Sequence, residues 1–247
     1  MERWQNGIAV VTGASSGIGA VISRKLIASG MIVVALARRL ERLEQLRQDL
    51  AEEQRSQLHI RQCDVTDLQS VNAAFDWIET ELGGPDILIN NAGKLSGGQL
   101  VTMSLDKVQQ VLQTNVMGVV YCTQRAFQSI RERNTPGHVV LMNSIVGHYL
   151  FNPQPGRLQE LNMYPATKHA LSAMTEVFRQ EFRDLKTQIK VTSISPGLVD
   201  TDMVPQDYKR LPMLQPEDVA NAIMYALATP PHVQVHEVTI KPMGEPF

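Results

Sequence analysis

Cysteine is scarce in this sequence, and long apolar runs are missing. Cys63 and Cys122 are the two cysteines, and they show neither a C-x-x-C motif nor a metal-ligand spacing, which predicts buried thiols in a reducing compartment and no metal site. The longest unbroken apolar runs, such as residues 31–37, have about a third of the length needed to span a bilayer. A net charge of −2 excludes an overall basic field for nucleic acid or anionic lipid. Residues 1–6 lack the apolar core of a secretory signal, so we expect a cytoplasmic protein with no membrane span and no nucleic-acid partner.

Short apolar runs alternate with amphipathic segments along the whole chain. No repeat, low-complexity tract or linker divides the 247 residues, which predicts one domain over residues 1–247. Helical spacing covers residues 40–53 and 104–133, and continues from 164 towards 182. The predicted strands are residues 8–11, 31–37, 58–62, 86–89, 139–142, 189–194 and 233–240. This alternation predicts an α/β fold with a parallel seven-stranded sheet, doubly wound, with helices on both faces.

A glycine-rich turn follows the first predicted strand. It reads Thr12-Gly-Ala-Ser-Ser-Gly-Ile-Gly19, and a helical pattern begins directly after it. Glycines let a backbone come close to a pyrophosphate, and a helix N-terminus offers unpaired N–H groups and a positive dipole end. The spacing G-x-x-x-G-x-G differs from the general dinucleotide fingerprint. A purely structural strand-to-helix turn is therefore the alternative.

Two arginines follow the second predicted strand. An acidic residue at this point would bind the ribose diol of NAD, whereas an arginine accommodates the 2′-phosphate of NADP. Here Ala37 is followed by Arg38 and Arg39, which favours NADP(H). The alternative is that both arginines simply begin the charged helix of residues 40–53.

Polar residues follow the next two strands and interrupt the longest helix. Asp64 is placed to accept a hydrogen bond from an adenine amino group. The alternative for the acids of this region is a helix N-cap, which fits Asp67 better than Asp64. The small residues of Asn90-Asn-Ala-Gly93 would let the chain pass against a cofactor; alternatively, the amides pin neighbouring strands. Asn115 falls in a zone that should be buried, so we expect it either to cap a kink or to hold a water through its backbone.

Tyr164 and Lys168 are four residues apart and share a face if they lie on a helix. A free phenol titrates near pH 10, about three units too high for proton transfer at neutral pH, and a nearby cation lowers its pKa. The pair therefore predicts an acid–base group. A solvated helix face with the same spacing is the alternative.

Together these motifs resemble one known family. The residues that carry the resemblance are Thr12 to Gly19, Asn90 to Gly93, Asn115, Ser144, Tyr164, Lys168, Pro196 and Gly197. In this order and over essentially the full chain, they resemble the short-chain dehydrogenase/reductase family. Two segments resemble, within this family, the insect farnesol dehydrogenases and vertebrate dehydrogenase/reductase family member 11. They are the start of the chain, Met1-Glu-Arg-Trp4, and the end of the second predicted strand, Ala35-Leu-Ala-Arg-Arg39. The resemblance implies a Rossmann-type domain, NADP, an alcohol dehydrogenase or carbonyl reductase activity, and a homodimer or homotetramer.

The resemblance also implies roles for individual residues. Tyr164 would be the acid–base, Lys168 would lower its pKa and bind the nicotinamide ribose, Ser144 would hold the substrate oxygen, and Asn115 would hold a water on the proton path. The implied cofactor-binding residues are Gly13, Ser15, Ser16, Gly17, Ile18 and Gly19 for the pyrophosphate, Arg38 and Arg39 for the 2′-phosphate, Asp64 and Val65 for adenine, Asn91, Ala92 and Gly93 for the adenosine ribose, Tyr164 and Lys168, and Pro196, Gly197, Val199 and Thr201 for the carboxamide.

Two segments are expected to wall the substrate site, residues 148–163 and 202–215. Their apolar residues are Tyr149, Leu150, Phe151, Leu158, Leu161, Met163, Met203, Val204, Leu211, Met213 and Leu214. Such a lining suits a lipophilic alcohol or carbonyl compound, for which a terpenoid alcohol such as farnesol is the first hypothesis and a steroid or broad carbonyl substrate the second. A catalytically inactive NADP-binding regulator is the remote alternative. His148 stands at the pocket edge, where a satisfied loop histidine is more common than a substrate contact.

One departure from the family pattern concerns spacing. Ser144 and Tyr164 are 20 positions apart, which is longer than is usual in the family. The extra length lies in an irregular segment, so we expect the two hydroxyls still to converge and the substrate entrance to change.

Overall fold

Seven parallel strands form one sheet in the computed structural model, which describes residues 1–150 and 162–246. The strand order is β3-β2-β1-β4-β5-β6-β7. The strands are β1 (Ile8–Thr12), β2 (Ile32–Ala37), β3 (Leu58–Gln62), β4 (Ile87–Asn90), β5 (Gly137–Met142), β6 (Ile189–Pro196) and β7 (Glu237–Ile240). The order reverses between β1 and β4, which opens a crevice at the carboxyl ends of the strands, where doubly wound sheets bind ligands. The predicted fold class is confirmed.

Helices cover both faces of the sheet, because the strands are apolar on both sides. One core packs α1 and α7 on side chains such as Val11, and the opposite core packs α3, α5 and α6 on side chains such as Val10. The helices are α1 (Gly17–Ala28), α2 (Leu40–Gln48), α3 (Leu68–Leu82), α4 (Leu105–Leu112), α5 (Gly118–Arg133), α6 (Met163–Asp184) and α7 (Pro216–Ala228). Within the described ranges, no helix is both long and apolar enough to cross a membrane.

The second helix is shorter than its hydrophobic spacing predicts. It ends at Gln48, and a 3-10 turn follows at Glu52–Gln57. The Arg55 side chain donates hydrogen bonds of 3.0 Å to the carbonyl of Gln48 and 3.1 Å to that of Leu50. The prediction of a helix over residues 40–53 was wrong at its end, because a side chain from the following turn takes over these carbonyls.

The last strand is also shorter than predicted. The apolar alternation begins at Val233, but β7 begins at Glu237. The Val233 carbonyl accepts a 2.5 Å hydrogen bond from Lys190 Nζ, and the Val235 carbonyl accepts one of 2.6 Å from Thr192 Oγ1. Side chains of β6 therefore satisfy this stretch instead of the backbone of a neighbouring strand.

The long helix predicted over residues 104–133 is interrupted at Asn115. Helices α4 and α5 are joined by a π-helical turn, Gln113–Met117, in which Asn115 is buried. π-turns inside helices are frequent at functional sites. The irregularity expected at Asn115 is present, although as a wider turn rather than a helix cap.

Candidate active site

A cavity of about 430 Å³ opens at the carboxyl ends of β1, β2, β4, β5 and β6. Nineteen of the predicted site residues line it: Gly13, Ser15, Ser16, Gly17, Ile18, Arg38, Arg39, Asp64, Val65, Asn91, Ala92, Gly93, Ser144, Tyr164, Lys168, Pro196, Gly197, Val199 and Thr201. Gly19 and Asn115 do not line it. Among the described residues, no group of three or more His, Cys, Asp or Glu is arranged to bind a metal ion.

The glycine-rich turn is held against the strand beside it. Gly13 has a φ of +65°, and a Cβ there would lie 2.8 Å from the Cα of Ala92. The Asn91 side chain donates to the carbonyls of Thr12 (2.9 Å) and Gly13 (3.2 Å). Asn91 therefore pins the neighbouring strand end, as its alternative interpretation predicted, and it lines the cavity as well.

Gly19 lies at a point of close packing where there is no room for a side chain. A Cβ at this position would lie 2.5 Å from both Asn91 Nδ2 and the Gly13 carbonyl oxygen. Gly19 was predicted to contact the cofactor, but it does not line the cavity. The first turn of α1 packs Gly19 inward, against Gly13 and Asn91. Its role is to let α1 approach the turn closely.

The two arginines differ in their contacts. Arg39 Nη2 donates hydrogen bonds to Ser15 Oγ (3.0 Å) and Ser16 Oγ (3.2 Å), which places a guanidinium over the glycine-rich turn. Arg38 is exposed at the mouth of the cavity. Cations and hydroxyls gathered at one end of a dinucleotide cleft suit an additional phosphate.

Two acidic residues follow β3, and Asp67 caps a helix as the sequence predicted. Asp67 accepts a 2.9 Å hydrogen bond from the backbone N–H of Gln69 and caps α3. One oxygen of Asp64 accepts from the backbone N–H and the hydroxyl of Thr66, at 3.0 and 2.8 Å. Asp64 also lines the cavity, so an adenine contact would fall to its other oxygen.

The catalytic candidates meet at the opposite end of the cavity. Lys168 is 4% exposed, its Nζ donates a 2.6 Å hydrogen bond to the Met142 carbonyl, and it lies 5.3 Å from the centre of the Tyr164 ring. Ser144 begins the 3-10 turn Ile145–Gly147, and its Oγ donates a 3.5 Å hydrogen bond to the Pro196 carbonyl. The expected convergence of Ser144, Tyr164 and Lys168 on one cavity is thus observed.

The electrostatics of this group correct one expectation. Burial raises the pKa of Tyr164 to about 12, and the Ser144 side chain acts in the opposite direction. Burial also lowers the pKa of Lys168 to about 7. The prediction that Lys168 brings the phenol pKa down was wrong for the protein alone, because the loss of water around the phenol outweighs its neighbours.

The Asn115 side chain is fully engaged outside the cavity. Its Oδ1 accepts from the Lys94 backbone N–H (2.7 Å), and its Nδ2 donates to the Lys94 carbonyl (2.9 Å) and to Thr167 Oγ1 (3.1 Å). The amide therefore ties the segment after β4 to the helix that carries Tyr164 and Lys168. A water at this position would have to be held by the backbone.

The two predicted substrate segments contribute unequally. Residues 151–161, which include Phe151, Leu158 and Leu161, lie outside the described residues. His148 is a satisfied loop residue, with Nε2 2.5 Å from Glu237 Oε1 and 3.2 Å from Ser195 Oγ. From the second segment, Asp202, Met203, Val204, Pro205 and Tyr208 line the cavity, whereas Leu211, Met213 and Leu214 do not.

Several residues that line the cavity were not among the predicted site residues. They are Ala37, Cys63, Lys94, Leu95, Thr114, Met142, Asn143, Ile145, Val146 and Leu198. Most of them directly adjoin a predicted site residue in the sequence, and this adjacency is the signal that would have found them.

The sequence of residues 7–211 matches the family described as short chain dehydrogenase. The chain belongs to the short-chain dehydrogenase family. Farnesol dehydrogenase of Aedes aegypti is 48% identical to this short-chain dehydrogenase over 250 residues, which cover 100% of both chains. Dehydrogenase/reductase SDR family member 11 of Bos taurus is 38% identical over 259 residues, which cover 98% of each. The resemblance stated from the motifs is confirmed.

Solved structures agree with this assignment of the short-chain dehydrogenase. The closed form of serine dehydrogenase complexed with NADP⁺ has a TM-score of 0.83 at 30% identity, covering 94% of both chains. An alcohol dehydrogenase from the archaeon Thermococcus sibiricus, complexed with 5-hydroxy-NADP, has a TM-score of 0.83 at 26% identity, covering 97% of both. The protein is thus an oxidoreductase of a family that binds nicotinamide cofactors.

Proposed function

We propose that this short-chain dehydrogenase uses NADP(H) to interconvert a lipophilic alcohol and its aldehyde or ketone, with a terpenoid alcohol such as farnesol as the substrate. The observation that carries the proposal is a single cavity that has Arg39 and Ser15 at one end and Ser144, Tyr164 and Lys168 at the other. The farnesol dehydrogenase at 48% identity supports the substrate class. The relatives complexed with NADP⁺ or a derivative support the cofactor.

The residues at the cavity fit the groups of NADP. The turn from Gly13 to Gly17 offers backbone at a helix N-terminus for the pyrophosphate, and Arg38 and Arg39 offer positive charge for the 2′-phosphate. The cofactor, when bound, supplies or accepts the hydride. The protein's own part is to orient both reactants and to move the proton.

Tyr164 would donate that proton to the carbonyl oxygen of the substrate. A phenol with a pKa raised to about 12 is protonated at neutral pH, so Tyr164 carries the proton that reduction of a carbonyl requires. Ser144 Oγ would donate a hydrogen bond to the same oxygen, and one such donor contributes about 3–4 kcal/mol to transition-state stabilisation. Lys168, with a pKa near 7, is able to return a proton towards Tyr164 without a large energetic cost.

The lining beside these residues supports an apolar substrate. Leu95, Ile145, Val146, Met203 and Val204 all line the cavity. Flexible methionine and branched aliphatic side chains accept several hydrocarbon shapes but offer no partner for a charged group. We also propose a homodimer or homotetramer on family resemblance, and a cytoplasmic location as the sequence predicts.

The direct test is turnover by the purified protein. With NADPH or NADP⁺ and a panel of farnesal, farnesol, steroid ketones and simple carbonyls, we expect absorbance changes at the nicotinamide band, fastest with the terpenoid pair. Tyr164→Phe should abolish turnover and leave the dissociation constant of NADPH unchanged. Tyr225→Phe, which removes the hydroxyl of a residue that is 63% exposed, is the matched control.

The alternatives give different results in the same assay. A broad reductase would show comparable kcat/KM across the panel, and a steroid enzyme would favour the steroids. A catalytically inactive NADP-binding regulator would bind NADPH without any turnover. Arg38→Asp tests the cofactor assignment, because an unchanged preference for NADP⁺ over NAD⁺ would refute the role of that arginine.

A further inference from the structure

The turn that follows β6 lines the cavity and also contacts Ser144. Gly197 and Leu198 line the cavity, and the Pro196 carbonyl accepts the hydrogen bond from Ser144 Oγ at 3.5 Å. A displacement of this turn would therefore move both the cavity wall and the partner of Ser144. The contacts that fix the position of this turn therefore matter for the cavity.

A carboxylate from the C-terminal segment holds this turn. The Leu198 backbone N–H donates a 3.2 Å hydrogen bond to Glu245 Oε2, and the Leu198 carbonyl accepts one of 2.8 Å from the Leu214 N–H. A Cβ on Gly197 would collide with the same Glu245 carboxylate, and its three nearest contacts would all be atoms of that side chain. The absence of a side chain at Gly197 is thus what admits the carboxylate.

Glu245 is an unusual residue to find in this position. Its side chain is 1% exposed, and burial raises its pKa. Lys241 Nζ lies 3.7 Å from Oε1, yet that oxygen has no hydrogen-bond partner among the described residues. A buried carboxylate whose ion pair is this long is weak as a source of stability. Its contact with the cavity turn is the better explanation for its burial.

The same segment reaches the substrate side. Lys241 Nζ lies 5.0 Å from the centre of the Tyr149 ring, and Tyr149 belongs to the first predicted substrate segment. Lys241 and Glu245 are joined as an i, i+4 ion pair. The C-terminal segment therefore contacts both the turn after β6 and Tyr149.

We propose that Glu245 is a positioning residue that sets the turn Pro196–Leu198 for the nicotinamide end of the cofactor, through the Leu198 N–H and the space left by Gly197. This inference rests on the proposed use of a nicotinamide cofactor at this cavity. No motif of the sequence marks Glu245. Its partners lie 47 and 48 positions earlier in the chain, so only the folded chain brings them together.

The first test compares two substitutions of Glu245. Glu245→Ala should raise the dissociation constant of NADPH about tenfold, equivalent to about 1.4 kcal/mol, and leave the KM for the carbonyl substrate at saturating NADPH within about twofold. Glu245→Gln keeps an acceptor for the Leu198 N–H and should stay within about threefold of the wild type. Met243→Ala, on the same segment and 97% exposed, is the matched control. Binding is measured by the fluorescence of NADPH.

The second test is a double-mutant cycle. Gly197→Ala alone should weaken NADPH binding, because its methyl group displaces the Glu245 carboxylate. In the Glu245→Ala background the same substitution should add less than about a twofold change, since the colliding atoms are gone. Additive effects would overturn the inference, as would an unchanged dissociation constant in folded Glu245→Ala. If Glu245→Ala does not fold, Glu245→Asp, which withdraws the carboxylate by one methylene, takes its place with the same expectation.

Failure of this inference is distinct from failure of the proposed function. Wild-type protein that binds NADPH and turns over no alcohol or carbonyl contradicts the proposed function, while the binding measurements still decide the role of Glu245. Wild-type protein that binds no nicotinamide nucleotide contradicts both.

Discussion

The ammonium of Lys168 lies 5.3 Å from the centre of the Tyr164 ring and donates its hydrogen bond to the Met142 carbonyl instead of to the phenol. Both side chains are held on the cavity wall by α6. Their proximity and their opposite pKa shifts have measurable consequences for stability and catalysis.

The buried lysine predicts a pH-dependent stability. Burial lowers the pKa of Lys168 from 10.5 to about 7, so between these values the unfolded chain binds more protons at this residue than the folded one. Its contribution to the free energy of unfolding therefore rises with pH across this window and is lost as the pH falls to 7. Lys168→Met removes the titration, so the free energy of unfolding of the variant minus that of the wild type should fall by about 3 kcal/mol between pH 7 and about 9.5.

Urea unfolding at several pH values measures this difference. Lys190, whose pKa is lowered to about 8, is present in both proteins and cancels in the subtraction. Parallel stability curves for the two proteins would contradict the prediction.

The contact of Arg39 with Ser15 and Ser16 predicts cofactor selectivity. Arg39→Ala should raise the KM for NADPH about 10- to 100-fold, as expected for a charge-assisted phosphate contact of about 1.5–3 kcal/mol, and change the KM for NADH by less than about threefold. Arg47→Ala is the control, because Arg47 lies on α2, the helix that follows Arg39, and pairs with Glu44 at the surface. Equal effects on both cofactors would exclude a 2′-phosphate contact.

The three hydrogen bonds of the Asn115 amide predict a structural penalty. Asn115→Ala leaves the Lys94 N–H and carbonyl without this partner, so we expect a loss of about 2–4 kcal/mol in the free energy of unfolding. Turnover should also fall, since Lys94 lines the cavity and Thr167 lies on α6. Gln109→Ala, an exposed position on α4, should remain within about 0.5 kcal/mol of the wild type. A variant as stable as that control would show that the amide is dispensable.

The close packing at Gly19 predicts an effect on cofactor binding. Gly19→Ala places a methyl group 2.5 Å from Asn91 Nδ2 and the Gly13 carbonyl oxygen, which should displace the glycine-rich turn, cost about 1–3 kcal/mol of stability and weaken NADPH binding. Gly97→Ala is the control, since a Cβ there meets nothing within 4 Å. Calorimetry and NADPH fluorescence on both variants check the expectation. Normal NADPH affinity in folded Gly19→Ala would contradict it.

Local spacing was sufficient for the strands apart from the start of β7, for most helices and for most of the cavity lining. Short apolar runs between amphipathic segments predict where each strand lies. The carboxyl ends of parallel strands meet at one edge of a sheet. Residues such as Gly13, Ser144 and Gly197 each follow a strand, so their position in the sequence already gives their place at that edge. The family resemblance then assigned roles that spacing alone could not.

Interactions between distant segments account for what the sequence did not predict. The early end of α2 depends on Arg55, and the late start of β7 on Lys190 and Thr192, because side chains compete with the backbone ladder for the same carbonyls. The pKa of Tyr164 depends on how much water the surrounding elements exclude, which outweighs the charge that is four residues away. Glu245 lies beside the turn at Gly197 because β7, which precedes it, pairs with β6. Periodicity along a chain records which face of an element is buried, whereas hydrogen-bond partners and desolvation depend on which elements the completed sheet brings into contact.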